Sequence, residues 1–279
     1  MNLPIIKKLL YEKAINRAFF TIWGIAIQEF KMSFTQFFTF RSPILSFLRV
    51  LKYLFLSLNR LSFGRSARLS YAFKGEDRLI ESILKPRITK TGFYVEVGCN
   101  HPTFISNSFL FYRRGWRGIC IDANERLIAK YQYQRPKDKA VCAFVSNSLL
   151  PVEFVEFTND VLSSSDKAYI QQCLQQGNRI ASKKIMQPRS LTEILDEQQC
   201  PKNFDFLSID VEEHDYQVLL SLDLERYQPR LIIVEAEDFN PEKPEQHPIF
   251  NLLKSNNYRL EGYILTNLYF TKLNQQKEV

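Results

Sequence analysis

From about Thr91 onward, short apolar runs alternate with longer mixed segments, a rhythm that reads as strands joined by crossover helices. Strands are expected at 94–97, 118–121, 140–145, 204–209, 231–234, 258–263 and 267–270. Helices are expected at 106–113, 125–133, 191–197, 216–222 and 249–256. The last two strands follow each other closely, so they predict an antiparallel hairpin at the edge of a mostly parallel sheet. The polar stretch 158–187 predicts a loop or lid. Upstream, 76–84 has a helical pattern that Pro86 should end. At 44–61 Arg49, Lys52 and Arg60 fall opposite Phe47, Leu48, Leu51, Leu54 and Leu58 at helical spacing, with Ser42-Pro43 as a plausible start. The expected architecture is therefore α/β, with an α-helical N-terminal extension over 1–70 and one domain over 71–279.

Charge sharpens this division. The formal charge is +7, yet residues 1–68 hold eleven Lys/Arg against Glu12 and Glu29, and the remainder is net acidic. Ten of the 23 phenylalanines lie in the same segment. A basic, aromatic, amphipathic segment either packs as a helical cap or rests on an anionic membrane, basic side chains at the phosphates. Nucleic acid is disfavoured, because the positive charge is confined to this segment. The longest uncharged stretch near the start, 18–28, is far short of the roughly 20 residues a spanning helix needs. Cys99, Cys120, Cys142, Cys173 and Cys200 form no CxxC pair and no zinc spacing. They read as reduced thiols in a cytoplasmic chain, with the inner membrane face as the place for any peripheral contact. No metal site is expected.

Chemistry concentrates at strand ends. The first strand runs into Gly98-Cys99-Asn100-His101-Pro102, and a glycine turn before a helix brings a nucleotide-like ligand over a sheet edge. A single glycine is not the dinucleotide fingerprint, which counts against an NAD-dependent oxidoreductase. Asp122 ends the next strand, 24 residues beyond Gly98, where a carboxylate either accepts a ribose diol or caps the following helix. Glu96 either holds a ligand ammonium or is solvated. Asp210 ends a central strand, followed by Glu212, Glu213 and His214, and the next strand ends in Glu235. Carboxylates beside an imidazole shift one another's pKa and create a base, or hold a divalent cation. Asp210 and His214 are the candidate bases, with His101 a third. His247, before Pro248 in a polar loop, reads as solvated.

Several separated runs then carry a resemblance. Tyr94 to Pro102, Ser106-Asn107-Ser108, Tyr112 to Gly118, Ile121 to Asn124, Leu162-Ser163-Ser164, Phe206 to Glu212, and Tyr227 to Arg230 leading to Val234-Glu235 resemble the FkbM-type methyltransferases, in order, over about Phe93 to Phe270. The resemblance implies a Rossmann-like class I methyltransferase fold. It also implies S-adenosylmethionine as cofactor and methylation of a hydroxyl on a sugar or secondary metabolite, with a small-molecule or glycan acceptor. By analogy Glu96, Gly98 and Asn100 hold the methionine end, Asp122 the ribose, Ser146 lies near the adenine, and Asp210 is at the reaction centre. One departure stands out. The family pattern has Gly where this chain has Glu213, which costs about 1 kcal/mol if that position needs a positive φ. The competing reading is a non-catalytic member that binds a glycan or a partner protein.

Overall fold

The computed structural model describes residues 69–84 and 91–273, with Leu51 and Phe55 besides. Apart from Leu51 and Phe55, the helix expected at 44–61, the extension over 1–70 up to residue 68, and any membrane contact through 1–68 lie outside the described residues. Among the described residues, no helix is long and apolar enough to cross a membrane. Ser70–Val279 forms one compact unit.

That unit is built on a seven-stranded sheet. Its strands are β1 (Phe93–Val97), β2 (Arg117–Asp122), β3 (Lys139–Cys142), β6 (Phe206–Ile209), β7 (Leu231–Glu235), β8 (Tyr258–Ile264) and β9 (Asn267–Lys272). The spatial order is β3-β2-β1-β6-β7-β9-β8. The pairs β1–β2, β1–β6, β2–β3 and β6–β7 are parallel, whereas β9 runs antiparallel to both β7 and β8. The expected α/β class and antiparallel edge hairpin are therefore present. The chain winds outward from β1 through β2 to β3, then returns to place β6 on the other side of β1. The crevice between β1 and β6 is thus the topological switch point, where open α/β sheets bind ligands.

Every residue of β6 and the first four of β7 are buried, as expected of parallel strands covered on both faces. Side chains alternate between the faces with period two. Val95, Ile119, Leu207, Ile209, Ile232 and Val234 share one core cluster with residues of the helices α5 (Leu191–Glu197), α6 (Asp215–Leu220) and α7 (Pro248–Ser255). On the opposite face Tyr94 stacks on Phe206 with ring centroids 5.5 Å apart, and Phe111 lies 5.0 Å from Phe206. Phe111 belongs to the short helix α2 (Phe109–Arg113). The helix α1 (Glu76–Leu84) has the bounds that its periodicity predicts.

The second face also encloses a charged centre. Arg135 follows α3 (Glu125–Gln134) and is fully buried. Its guanidinium donates to Asp138 Oδ2 (2.8 Å), Ser106 Oγ (3.2 Å), Ser108 Oγ (2.7 Å), Tyr94 Oη (2.8 Å) and the Pro102 carbonyl (3.3 Å). It lies 5.1–5.5 Å from the ring centres of Tyr94, Tyr112 and Tyr131. A buried cation is tolerable only with such complete pairing. Arg135 thereby ties the loop after β1 to the end of α3.

Three expectations are corrected. The segment 158–187 is not a polar loop or lid. It contains a 3₁₀ turn (Asp160–Leu162), the helix α4 (Lys167–Gln175) and the strand β5 (Ile180–Met186), which pairs antiparallel with β4 (Val152–Phe157). Ile170 and Cys173, three apart on one face of α4, pack on Val155 and Phe157. Polar residues of the segment pair with one another: Ser182 Oγ donates to the buried Glu156 at 2.7 Å. β3 stops at Cys142 rather than 145, because β2 offers no partner beyond Asp122. The helix expected from 106 begins only at Phe109, since the Ser106 and Ser108 hydroxyls are turned to Glu96.

Replacing Arg135 with Leu leaves Asp138 and Glu96 buried without their cation and should cost about 3–5 kcal/mol. Equilibrium urea unfolding measures this; a loss below 1 kcal/mol would show that the network is dispensable.

Candidate functional site

At the carboxyl ends of the parallel strands lies a cleft of about 780 Å³. Its floor is the turn after β1. Gly98 adopts φ 76°, and a methyl group there would lie 1.7 Å from the Asp210 carbonyl oxygen. No other residue type fits that position. The Gly98 and Cys99 amides donate to the Ile121 carbonyl at 2.9 and 3.1 Å, which folds the turn back onto the end of β2.

Asp122, at the end of β2, completes the turn. It accepts the Asn100 amide on Oδ2 and the Asn124 amide on Oδ1, both at 2.8 Å. The helix cap is not Asp122 but Asn124, whose side chain accepts the Arg126 amide at 3.0 Å. A carboxylate oxygen can accept more than one hydrogen bond, and Asp122 lines the cleft. Apolar walls come from Ile105, Phe144, Val145 and Phe154.

Asp210, Glu212 and His214 form the opposite wall. Burial pushes the Asp210 carboxyl well above its ordinary value, and the nearby Glu235, Asp215 and Glu212 push it further. Asp210 and Glu235 hydrogen-bond to each other, and Glu235 Oε1 also accepts Thr266 Oγ1 at 2.9 Å. Burial likewise raises Glu212 to about 7, against the Tyr169 hydroxyl that bonds to it, and raises Asp215 to about 8. His214 is shifted the other way: burial disfavours its imidazolium. Its Nε2 lies 3.0 Å from Ser146 Oγ, and its ring sits 5.1 Å from that of Phe144. When Nε2–H donates to Ser146, Nδ1 is the free acceptor.

Left-handed backbone gathers at this cleft. Asn100 (φ 42°), Ile105 (φ 52°), Glu212 (φ 54°) and Glu213 (φ 71°) all lie in the region that favours glycine. Such strain clusters where a site over-determines its backbone. Glu213 therefore stands at a positive-φ position, as the departure from the family pattern implies.

The cleft brings together Gly98, Asn100, Asp122, Asp210 and His214, but neither Glu96 nor Ser146 lines it. Glu96 is turned inward: it accepts the Asn107 amide at 2.8 Å, together with the Ser108 and Ser106 hydroxyls, and lies 3.9 Å from Arg135. It is neither solvated nor open to a ligand. Burial raises its carboxyl, against the pull of Arg135. Ser146 meets the site only through His214. His101 does not line the cleft; its Nδ1 accepts the Thr103 amide at 3.3 Å. The reading of His247 as solvated is corrected: it is 7 % exposed, and its Nε2 lies 3.0 Å from Asp238 Oδ1. Pro248 starts α7 and turns this histidine inward at the helix cap. Sequence reasoning passed over Tyr169, Asp215, Phe144 and Phe154. Only the helical spacing of Tyr169, Ile170 and Cys173 could have signalled the first. Among the described residues, no group of three or more His, Cys, Asp or Glu is arranged to hold a metal ion.

The family model for the methyltransferase FkbM domain matches residues 96–260, more than half of the chain. The chain belongs to the FkbM-domain methyltransferases. No curated protein matches it. Among solved structures, a TehB-like SAM-dependent methyltransferase from Corynebacterium glutamicum is similar at 12 % identity, over 80 % of this chain and 97 % of that one, with a TM-score of 0.38.

S-adenosylmethionine is the methyl donor. The residues fit it. The glycine turn leaves room for close backbone approach, the Asp122 carboxylate lines the cleft, and Phe144 and Phe154 offer an apolar wall to a heterocycle.

Two measurements probe this wall. Glu213→Gly relieves a left-handed non-glycine residue and should stabilise the chain by about 0.5–1 kcal/mol. An unchanged or lower urea midpoint would mean that the Glu213 side chain outweighs its backbone. Asp215 is raised to about 8 from about 3.9 in an unfolded chain. Its contribution to stability is therefore complete below about 3.9 and is lost as pH rises through about 8. Between pH 6.5 and 9 the Tm should fall, and fall less steeply in Asp215→Asn; parallel slopes would contradict the assignment.

Proposed function

We propose that this methyltransferase acts on oxygen, transferring the methyl group to a hydroxyl of a sugar or secondary metabolite, with 71–279 as its catalytic domain. The observation that carries this reading is one cleft shared by the Gly98–Asp122 turn and the Asp210–Glu212–His214 wall. S-adenosylmethionine, when bound, supplies a methyl group already activated by its sulfonium.

The remaining work falls to the chain. Asp122 accepts the ribose diol while its other lone pairs hold the turn. Phe144 and Phe154 exclude water beside it. The acceptor oxygen has to sit near 3 Å from the methyl carbon and lose its proton. His214 is suited to take that proton, because burial keeps its imidazole neutral. Asp210, whose carboxyl burial and its acidic neighbours push well above its ordinary value, lines the same cleft and is suited to position the acceptor.

Calorimetric titration with S-adenosylmethionine and with NAD tests the cofactor assignment. Asp122→Asn should weaken S-adenosylmethionine at least tenfold, since a charge-assisted bond is worth about 1.5–3 kcal/mol. His214→Gln should lower turnover about 100-fold or more and leave that affinity unchanged. Full turnover in the His214 variant would remove it as the base, and tight binding of neither cofactor would favour the non-catalytic reading.

A further inference from the structure

Beside the methyl-donor cleft lies a second hollow of about 630 Å³, between the end of β7 and the start of α7. Glu212, Glu213, Asp215, Glu235, Glu237 and Asp238 line it, and among the described residues no lysine or arginine does. Glu212 lines both cavities, so the two share a wall. Lys74 acts on it through an intermediary: Lys74 Nζ donates to Thr266 Oγ1 at 3.1 Å, and Thr266 donates to Glu235.

A second observation is independent of the acids. His247 also lines the hollow, is 7 % exposed, and its buried Nδ1 has no hydrogen-bond partner. Leaving a buried polar atom unpaired is costly, and such atoms mark places where a ligand completes the structure. With Nε2 held by Asp238, the histidine fixes one carboxylate at the rim of the hollow.

We infer that this hollow receives the ammonium end of the methyl acceptor, which is therefore a hydroxylated amine such as an amino sugar or amino alcohol. The inference rests on the methyl-transfer reading and narrows its substrate class. A cation there meets several carboxylates at once and relieves their mutual repulsion. That repulsion, after burial, is what raises Glu212, Glu213 and Asp215. The acceptor is held at one end by charge, and its hydroxyl reaches the cleft past Glu212.

The test uses the full chain and two matched probes, putrescine and the neutral 1,4-butanediol, titrated by calorimetry at pH 8 and constant ionic strength. Putrescine should bind saturably and butanediol should not. Glu237→Gln, at an exposed position, should weaken putrescine at least fivefold, and Glu213→Gln should do the same, whereas Glu225→Gln on the distant surface should not. Equal binding of the two probes, no saturable putrescine binding, or indifference to both hollow variants would each overturn the inference. S-adenosylmethionine titrated into the same protein separates the two failures. Loss of that binding alone counts against the methyltransferase site, and loss of putrescine binding alone counts against the hollow.

Discussion

Everything at this site depends on one steric contact, the approach of the Asp210 carbonyl to the α-carbon of Gly98. It brings the ends of β1 and β6 together at the switch point of the sheet. The glycine turn can then fold onto β2, and Asp122 can grip it through the Asn100 amide. The same contact sets the carboxyl group of Asp210 over the cleft. Binding elements from the first half of the chain and chemical groups from the second half are thereby registered by backbone geometry, without any flexible side chain between them.

The two sides of this junction treat charge in opposite ways. Behind the turn, Glu96 and Asp138 share a fully buried arginine with a complete set of donors and aromatic neighbours. In front, Asp210, Glu212 and Asp215 stand together with no comparable cation among the described residues, and burial and mutual repulsion raise all three carboxyls. The first arrangement is a structural solution to burying acids. The second keeps acids in an environment where their protonation responds to whatever approaches, as functional sites do.

Much of this was legible in the chain. The strands ending at Val97, Ile209 and Glu235 are recognisable because burial on both faces demands continuous apolar runs. The acids at the ends of β2 and β6 follow directly from them. What could not be read was direction. Glu96 and Asp122 both lie near the ends of parallel strands, but alternation along β1 points Glu96 to the Arg135 face, whose cation lies 39 residues away in the sequence. His247 looked solvated because its partner Asp238 lies in a neighbouring loop with no periodicity. The β4–α4–β5 segment was hidden by its polarity, since its own core takes only Val155, Phe157, Ile170 and Cys173, and the buried Glu156 pairs with Ser182 and Lys184.

That segment has a consequence for how such an enzyme diversifies. It carries its own small core, Val155, Phe157, Ile170 and Cys173, and reaches the cleft through only a few groups, among them Phe154, Ser164 and Tyr169. The seven-stranded sheet shares no ladder with it. Substitutions, insertions or exchanges within 152–186 can therefore reshape the mouth of the cleft while the cofactor turn and the sheet keep their form. The scaffold is a fixed donor platform with an interchangeable wall, and acceptor preference can drift there without reopening the problem of folding.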